Sequence, residues 1–187
     1  ADYLSQDVLP ALDAEVRHFL LQTSIVDHLC ASLCDAITGN ENSQIILETL
    51  EQDRLFVMLL DDNREWFRYH RLFGEFLHEE LKRQYPDDVT FLHCRAARWY
   101  LDHDLPEQAF QHTIAGADVQ LMIQIFDRYC SAKLNGGEIR VIEQWVEAIP
   151  PAWYTAYPVL QIARVSVLAF TGAFEACMQL LSEVEHA

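Results

Sequence analysis

The chain is 187 residues long, 51% of them hydrophobic, and its 13 basic and 29 acidic side chains give a formal net charge of −16. That apolar content can build a sizeable core and excludes a disordered chain, while the charge repels polyanions such as DNA and anionic lipid. No stretch approaches the ~18 consecutive apolar residues that cross a bilayer, and the start Ala1-Asp2-Tyr3-Leu4 lacks the basic and apolar regions of a leader, so a cytoplasmic protein without membrane contact is expected. Five cysteines without paired spacing fit reduced, mostly buried thiols.

In chain order, Tyr3 to Leu9 reads as the tail of a helix that Pro10 interrupts, and Asp13 caps a second helix over Glu15 to Thr23. A short helix is expected around Ala31 to Ile37, stopped by Gly39-Asn40. Asn42 or Ser43 caps a third, which turns Ile45, Ile46, Leu47 and Leu50 inward. Leu55 to Leu60 and Glu65 to His70 then read as two apolar strands around Asp61-Asp62-Asn63-Arg64, a polar hairpin turn. The helix that follows, Leu72 to Tyr85, spaces Phe73, Phe76, Leu77 and Leu81 for one buried face and ends at Pro86. Helices followed by a hairpin and an amphipathic helix are the order of a winged helix, expected over residues 1–85 with the tail of a preceding helix at 1–9.

Residues 86–187 are patterned for helix throughout. Turns beginning at Asp104, Gly137 and Gly172 each follow an apolar helix and open another, at spacings of 33 (104 to 137) and 35 (137 to 172). Those spacings lie near the ~34-residue period of tetratricopeptide helix pairs, in which each pair buries its apolar face on the next. Arg95-Ala96-Ala97-Arg98-Trp99-Tyr100 fits the first helix of such a unit, with Ala where helices approach and Trp and Tyr where bulk is needed. The predicted fold class is therefore mainly α, a winged helix with one small β-hairpin followed by the start of a tetratricopeptide-like α-solenoid. Phe170, Phe174, Met178 and Leu181 fit a face on which a further repeat stacks, so exposed apolar surface and self-association are expected there.

The run from Trp66 to Leu77 sets one histidine between a strand and a helix. Its Tyr69-His70-Arg71-Leu72-Phe73 resembles the Tyr-His-(His/Arg)-Leu-Phe stretch of the large ATP-dependent, MalT-like transcriptional regulators of the LuxR family, which are signalling ATPases of the STAND type. The resemblance covers nearly the whole chain, closest from Asp53 to Ala117 and most generic after Gly137. It implies a middle piece of a longer protein, in which a winged helix joins an upstream ATPase domain to a helical-repeat sensor, and a separate downstream domain binds DNA. It further implies that ATP or ADP in the parent, and a small-molecule or protein inducer, bias this joint between a closed monomer and an open oligomer. In the related signalling ATPases of plant resistance and apoptosome proteins, a Met-His-Asp motif on the winged helix places its His against bound ADP. Tyr69-His70-Arg71 is similar in position, and because Arg71 replaces the acid, the resemblance carries over the role of the His and not that of the Asp.

Local charge points to the same place. Net charge is −8 over residues 1–54, −1 over 55–85 and −7 over 86–187, and Arg64, Arg68, Arg71, Lys82 and Arg83 crowd the near-neutral junction. A His in the first turn of a helix lies beside free N–H groups and the positive end of the helix dipole, so His70, Arg68 and Arg71 are the candidate phosphate-contacting residues. The structural alternative is a partly buried His70 satisfied by a neighbouring carbonyl.

Other candidates are weaker. No Gly-x-x-x-x-Gly-Lys-Ser/Thr occurs, so this segment is not expected to hydrolyse ATP or to hold a cofactor by itself, and Gly136-Gly137 reads as a helix turn. His28-Leu29-Cys30 with Cys34 offers two thiols at helical spacing but no second ligand pair, so no metal is expected. His93 and Cys94 are adjacent on a helix and point in different directions, which suits core or groove lining better than a nucleophile and its base. Glu79-Glu80, Asp87-Asp88 and Asp102 with Asp104 read as solvated faces and turns, and no catalytic residue is expected. The third helix carries Glu41, Glu48, Glu51 and Asp53 nearby and no base before Arg54, so direct DNA binding is not expected either. The alternative from another class is a free-standing helical-repeat adaptor that binds a protein or peptide partner.

Overall fold

The computed structural model describes residues 9, 12–53, 56–170, 172, 175 and 178. The Asp13 carboxylate accepts from the Glu15 N–H at 2.9 Å and caps α1 (Ala14–Thr23). Left-handed Gly39 at φ +81° closes α2 (Ala31–Thr38). Asn42 precedes α3 (Ser43–Gln52) without capping it by its side chain; its amide instead donates to Glu15 at 3.2 Å. α3 buries Ile46, Leu47 and Leu50, whereas Ile45 is 68% exposed, contrary to expectation. Successive residues turn by about 100° around a helix, so Ile45, Ile46 and Leu47 span more arc than one buried stripe covers.

β1 (Val57–Leu59) and β2 (Phe67–Tyr69) pair antiparallel, with Val57 opposite Tyr69, Met58 opposite Arg68 and Leu59 opposite Phe67. Both strands are shorter than the apolar runs around them. Asp61 shapes the turn, its Oδ1 accepting from the N–H groups of Glu65 at 3.1 Å and Trp66 at 3.0 Å. On the other side of β2, Leu29 and Phe67 exchange N–H to O bonds of 2.8 Å, which pins the α1–α2 connection to the hairpin.

α4 (Arg71–Gln84) buries Phe73, Leu77 and Leu81, with Phe76 half-buried. Pro86 then opens α5 (Pro86–Asp102) at its first position, where its missing N–H costs no hydrogen bond. α5 packs against α2 on one side and against α6 (Pro106–Ala115) on the other, with Ala96 and Ala97 fully buried. α7 (Val119–Asn135), α8 (Ile139–Ala148), α9 (Pro151–Ala156) and α10 (Val159–Phe170) follow. Trp145 of α8 stacks on Phe110 of α6 with centroids 5.1 Å apart and meets Phe126 of α7 edge-on at 5.8 Å, joining successive helix pairs.

Asp104 at φ +55°, Gly137 at +79° and Gly172 at +76° take the same left-handed step at the three turns whose spacing suggested a repeat. The molecule is mainly helical with one small antiparallel hairpin, a winged helix continued by helix pairs, and one hydrophobic cluster runs from Leu9 to Val167. Tyr3 to Val8, Leu55, Phe174 and Leu181 lie outside the described residues, as does the side chain of Phe170, while Met178 is 67% exposed. Among the described residues no helix is long and apolar enough to cross a membrane.

Candidate functional site at the joint of hairpin and helix

β2 delivers His70 to the first cap position of α4, with φ −57° and ψ 133°. Its backbone is held tightly: the N–H donates to the Phe56 carbonyl at 2.7 Å, and its own carbonyl accepts from Phe73 and Gly74, both at 2.9 Å. Its imidazole is exposed and makes no side-chain hydrogen bond among the described residues, which corrects the alternative of a partly buried, carbonyl-satisfied ring. A rigid backbone therefore presents a free imidazole beside the unpaired N–H groups that begin α4.

Arg68 and Arg71 come together on a neighbouring groove of about 610 Å³, lined also by Asp27, His28, Gly74, Glu75, His78 and His93. His70 is not among the groove's lining residues. Arg68 is exposed on β2 and has no ion-pair partner among the described residues, whereas Arg71 bonds Glu75 at 2.9 Å. The rest of the basic cluster is committed elsewhere: Arg64 pairs with Glu51, Lys82 with Glu79 and Arg83 with Glu80. The i, i+3 and i, i+4 spacings on α4 pair Arg71, Lys82 and Arg83, and Arg64 reaches from the hairpin turn to α3, so the cluster is less available to an anion than its count suggests.

A second polar groove, of about 390 Å³, continues from the first through Ile25, Asp27, His28 and His93 and adds Tyr100, Glu107, Gln108, Gln111 and His112. Here His93 of α5 and His112 of α6 meet, Nδ1 to Nδ1 at 2.8 Å. Burial pushes both imidazoles down to about 4, and the neighbouring His112, His78 and Lys82 add to the effect at His93. His78 is lowered as well, by burial and then by Lys82, and its Nδ1 is buried without a hydrogen-bond partner among the described residues. Periodicity of single helices could not reveal this histidine pair, because it depends on how α5 and α6 dock.

Cys94 turns away from this pair, its Sγ donating to the Gly116 carbonyl at 3.2 Å, so His93 and Cys94 form no nucleophile and base. Cys34 is fully buried, and desolvation raises its thiol well above the usual range, which keeps it a core residue. Among the described residues no three His, Cys, Asp or Glu side chains gather as a metal site.

Comparison with known proteins fits this architecture. Residues 5–89 match the MalT winged helix domain family. The chain is 33% identical over 184 residues to an HTH-type transcriptional regulator MalT of Vibrio parahaemolyticus and 32% identical to one of Vibrio campbellii; each alignment covers 98% of this chain and 20% of the relative. The chain thus spans about a fifth of the length of these regulators. Residues 5–89 belong to the MalT winged helix domain family, and the chain as a whole is related over nearly its full length to the MalT-type transcriptional regulators.

Proposed function

We propose that this chain is the coupling segment of a longer cytoplasmic regulator, relaying nucleotide and inducer state to a DNA-binding domain elsewhere in the same protein. The observation that carries the proposal is the free imidazole of His70 on a fixed backbone at the start of α4, in a segment matching the MalT winged helix. In the parent, an upstream ATPase domain would bind ATP or ADP, and His70 with Arg68 and Arg71 would face its phosphates. First-turn N–H groups and two guanidinium groups suit that anion. The segment itself is not an enzyme in this reading. The winged helix ends near residue 85 and the sensor repeats begin at 86, with further repeats, an inducer and copies of the protein as partners.

Weakening a contact to bound ADP destabilises the resting state, and a charge-assisted hydrogen bond of this kind is worth about 1.5 to 3 kcal/mol. In the full-length regulator, His70→Ala is expected to raise reporter transcription without inducer by several-fold while the melting temperature stays unchanged. Lower output together with a lower melting temperature would make His70 a structural residue and defeat the proposal.

A further inference from the structure

We propose that the outward face of the first half of α5, made of Asp88, Phe91 and Arg95, docks on the same face of a second copy of this chain about a two-fold axis. At about 100° per residue the three positions lie within about 60° of one another around the helix, while Ala96 and Ala97 on its other side are fully buried. Phe91 is 60% exposed, and Tyr85 at the head of the helix adds a second ring, 39% exposed and tilted against His18 at 5.7 Å. The Arg95 guanidinium lies over the Phe91 ring, 5.5 Å from its centroid, so the cation is already laid along the apolar face. Asp88 is exposed, and neither it nor Arg95 has an ion-pair partner among the described residues.

The order of these groups selects the occupant. In an isologous contact every group must find its complement on an identical surface. Two antiparallel copies of α5 that cross midway between Phe91 and Leu92 set Asp88 as far before the axis as Arg95 lies after it. Each Asp88 then faces the partner's Arg95, and the two Phe91 rings meet near the axis. An acid before the ring and a base after it are what a two-fold axis requires, whereas a face of one charge would call for a different partner.

Two copies of net charge −16 repel as wholes. At ~0.15 M salt the Debye length is ~8 Å, which screens that general repulsion far more than it weakens pairs in contact. A single helix crossing is small, below the ~1,200 Å² of a standard interface, so the contact is a transient dimer. Tyr85 follows the last turn of α4 and His70 precedes its first, so this face lies at the other end of that helix and the inference is independent of the nucleotide contact assigned to His70.

Sedimentation velocity of the chain at about 10 to 200 µM in ~0.15 M NaCl tests it. A reversible monomer–dimer equilibrium is expected, weakened at least tenfold by Phe91→Glu and at least fivefold by Asp88→Lys or Arg95→Glu alone. Mixed in equal amounts, the two charge variants are expected to recover a dimer of one copy of each, because opposite charges then meet at both ends of the crossing. Phe91 and Asp88 are exposed, so their variants decide the matter even if Arg95→Glu loosens the seam with α2. A chain that stays monomeric at the highest concentration, dimerisation untouched by Phe91→Glu, or a mixture that associates no better than its components when both melt like the unaltered chain would each overturn the proposal.

Discussion

The phenol of Tyr69 lies 2.6 Å from the hydroxyl of Thr23, a buried contact between residues 46 apart in sequence. Thr23 already donates to the Phe19 carbonyl at 2.7 Å, so Tyr69 must be the donor between the two hydroxyls. This bond ties β2 to α1 one residue before His70, and it sets where the strand hands over to α4. Tyr69→Phe is expected to cost about 1 kcal/mol, the net worth of one buried hydrogen bond. Thr23→Val strands the phenol and should cost more, about 1 to 3 kcal/mol. In the double variant the two losses should fall short of additivity, as urea midpoints would show. Strict additivity would mean that the hydroxyls do not interact.

Two left-handed glycines allow backbone strain to be separated from crowding. A Cβ on Gly39 would lie 3.0 Å from the Arg95 guanidinium, whereas a Cβ on Gly137 meets nothing within 4 Å. Their φ angles are nearly equal, +81° and +79°. Gly137→Ala should therefore show the conformational cost alone, about 1 kcal/mol. Gly39→Ala should lose more, because Arg95 must also move from the seam between α2 and α5. Equal losses in thermal melts would show that Arg95 yields freely.

Acid should loosen the molecule through its buried histidines. His93 and His112 are depressed to about 4 in the folded chain, below the ~6.5 of an unfolded histidine. Between those values the unfolded state binds more protons, so stability holds above about pH 6.5 and falls as pH drops toward 4. His78 shifts in the same direction. The urea midpoint should be lower at pH 5 than at pH 7.5, and His112→Gln should flatten that dependence. A midpoint insensitive to this pH change would mean that these rings are solvated.

Much of the scaffold was legible because it rests on local chemistry. Asp13 caps, Gly39 terminates, Asp61 turns the hairpin, and the turns at 104, 137 and 172 share a left-handed residue. The burial of Ile45 was misjudged because hydrophobicity alone cannot say which edge of a wide apolar arc meets the core. The candidate site was legible only in part. Strand register placed Arg68 and His70, and the ion pairs that occupy Lys82 and Arg83 follow from helical spacing. The groove beside Arg68 draws its walls from residues 24–28, from Arg68, Tyr69, Arg71, Gly74 and Glu75, and from His78 and His93, and only tertiary packing brings those segments together.

The winged helix should not read DNA, and the surface of α3 explains why. Its Gln44 bonds both Glu48 and the Arg64 carbonyl, and Arg64 pairs with Glu51, so the hairpin turn covers that side of the helix. Ile45, Thr49, Gln52 and Asp53 remain exposed, together with Glu41 before the helix, and none of them is cationic. Non-specific DNA affinity comes almost entirely from neutralising phosphates, and basic DNA-binding proteins reach dissociation constants of about 10⁻⁴ to 10⁻⁶ M at physiological salt by that route. A chain of net charge −16 whose α3 offers no described cation should bind a duplex more weakly than that range. Fluorescence anisotropy with a labelled duplex should stay flat as protein is added, at both low and moderate salt. Binding that is submicromolar, sequence-dependent and steeply weakened by salt would assign α3 a place in the major groove and remove the argument for a purely coupling role.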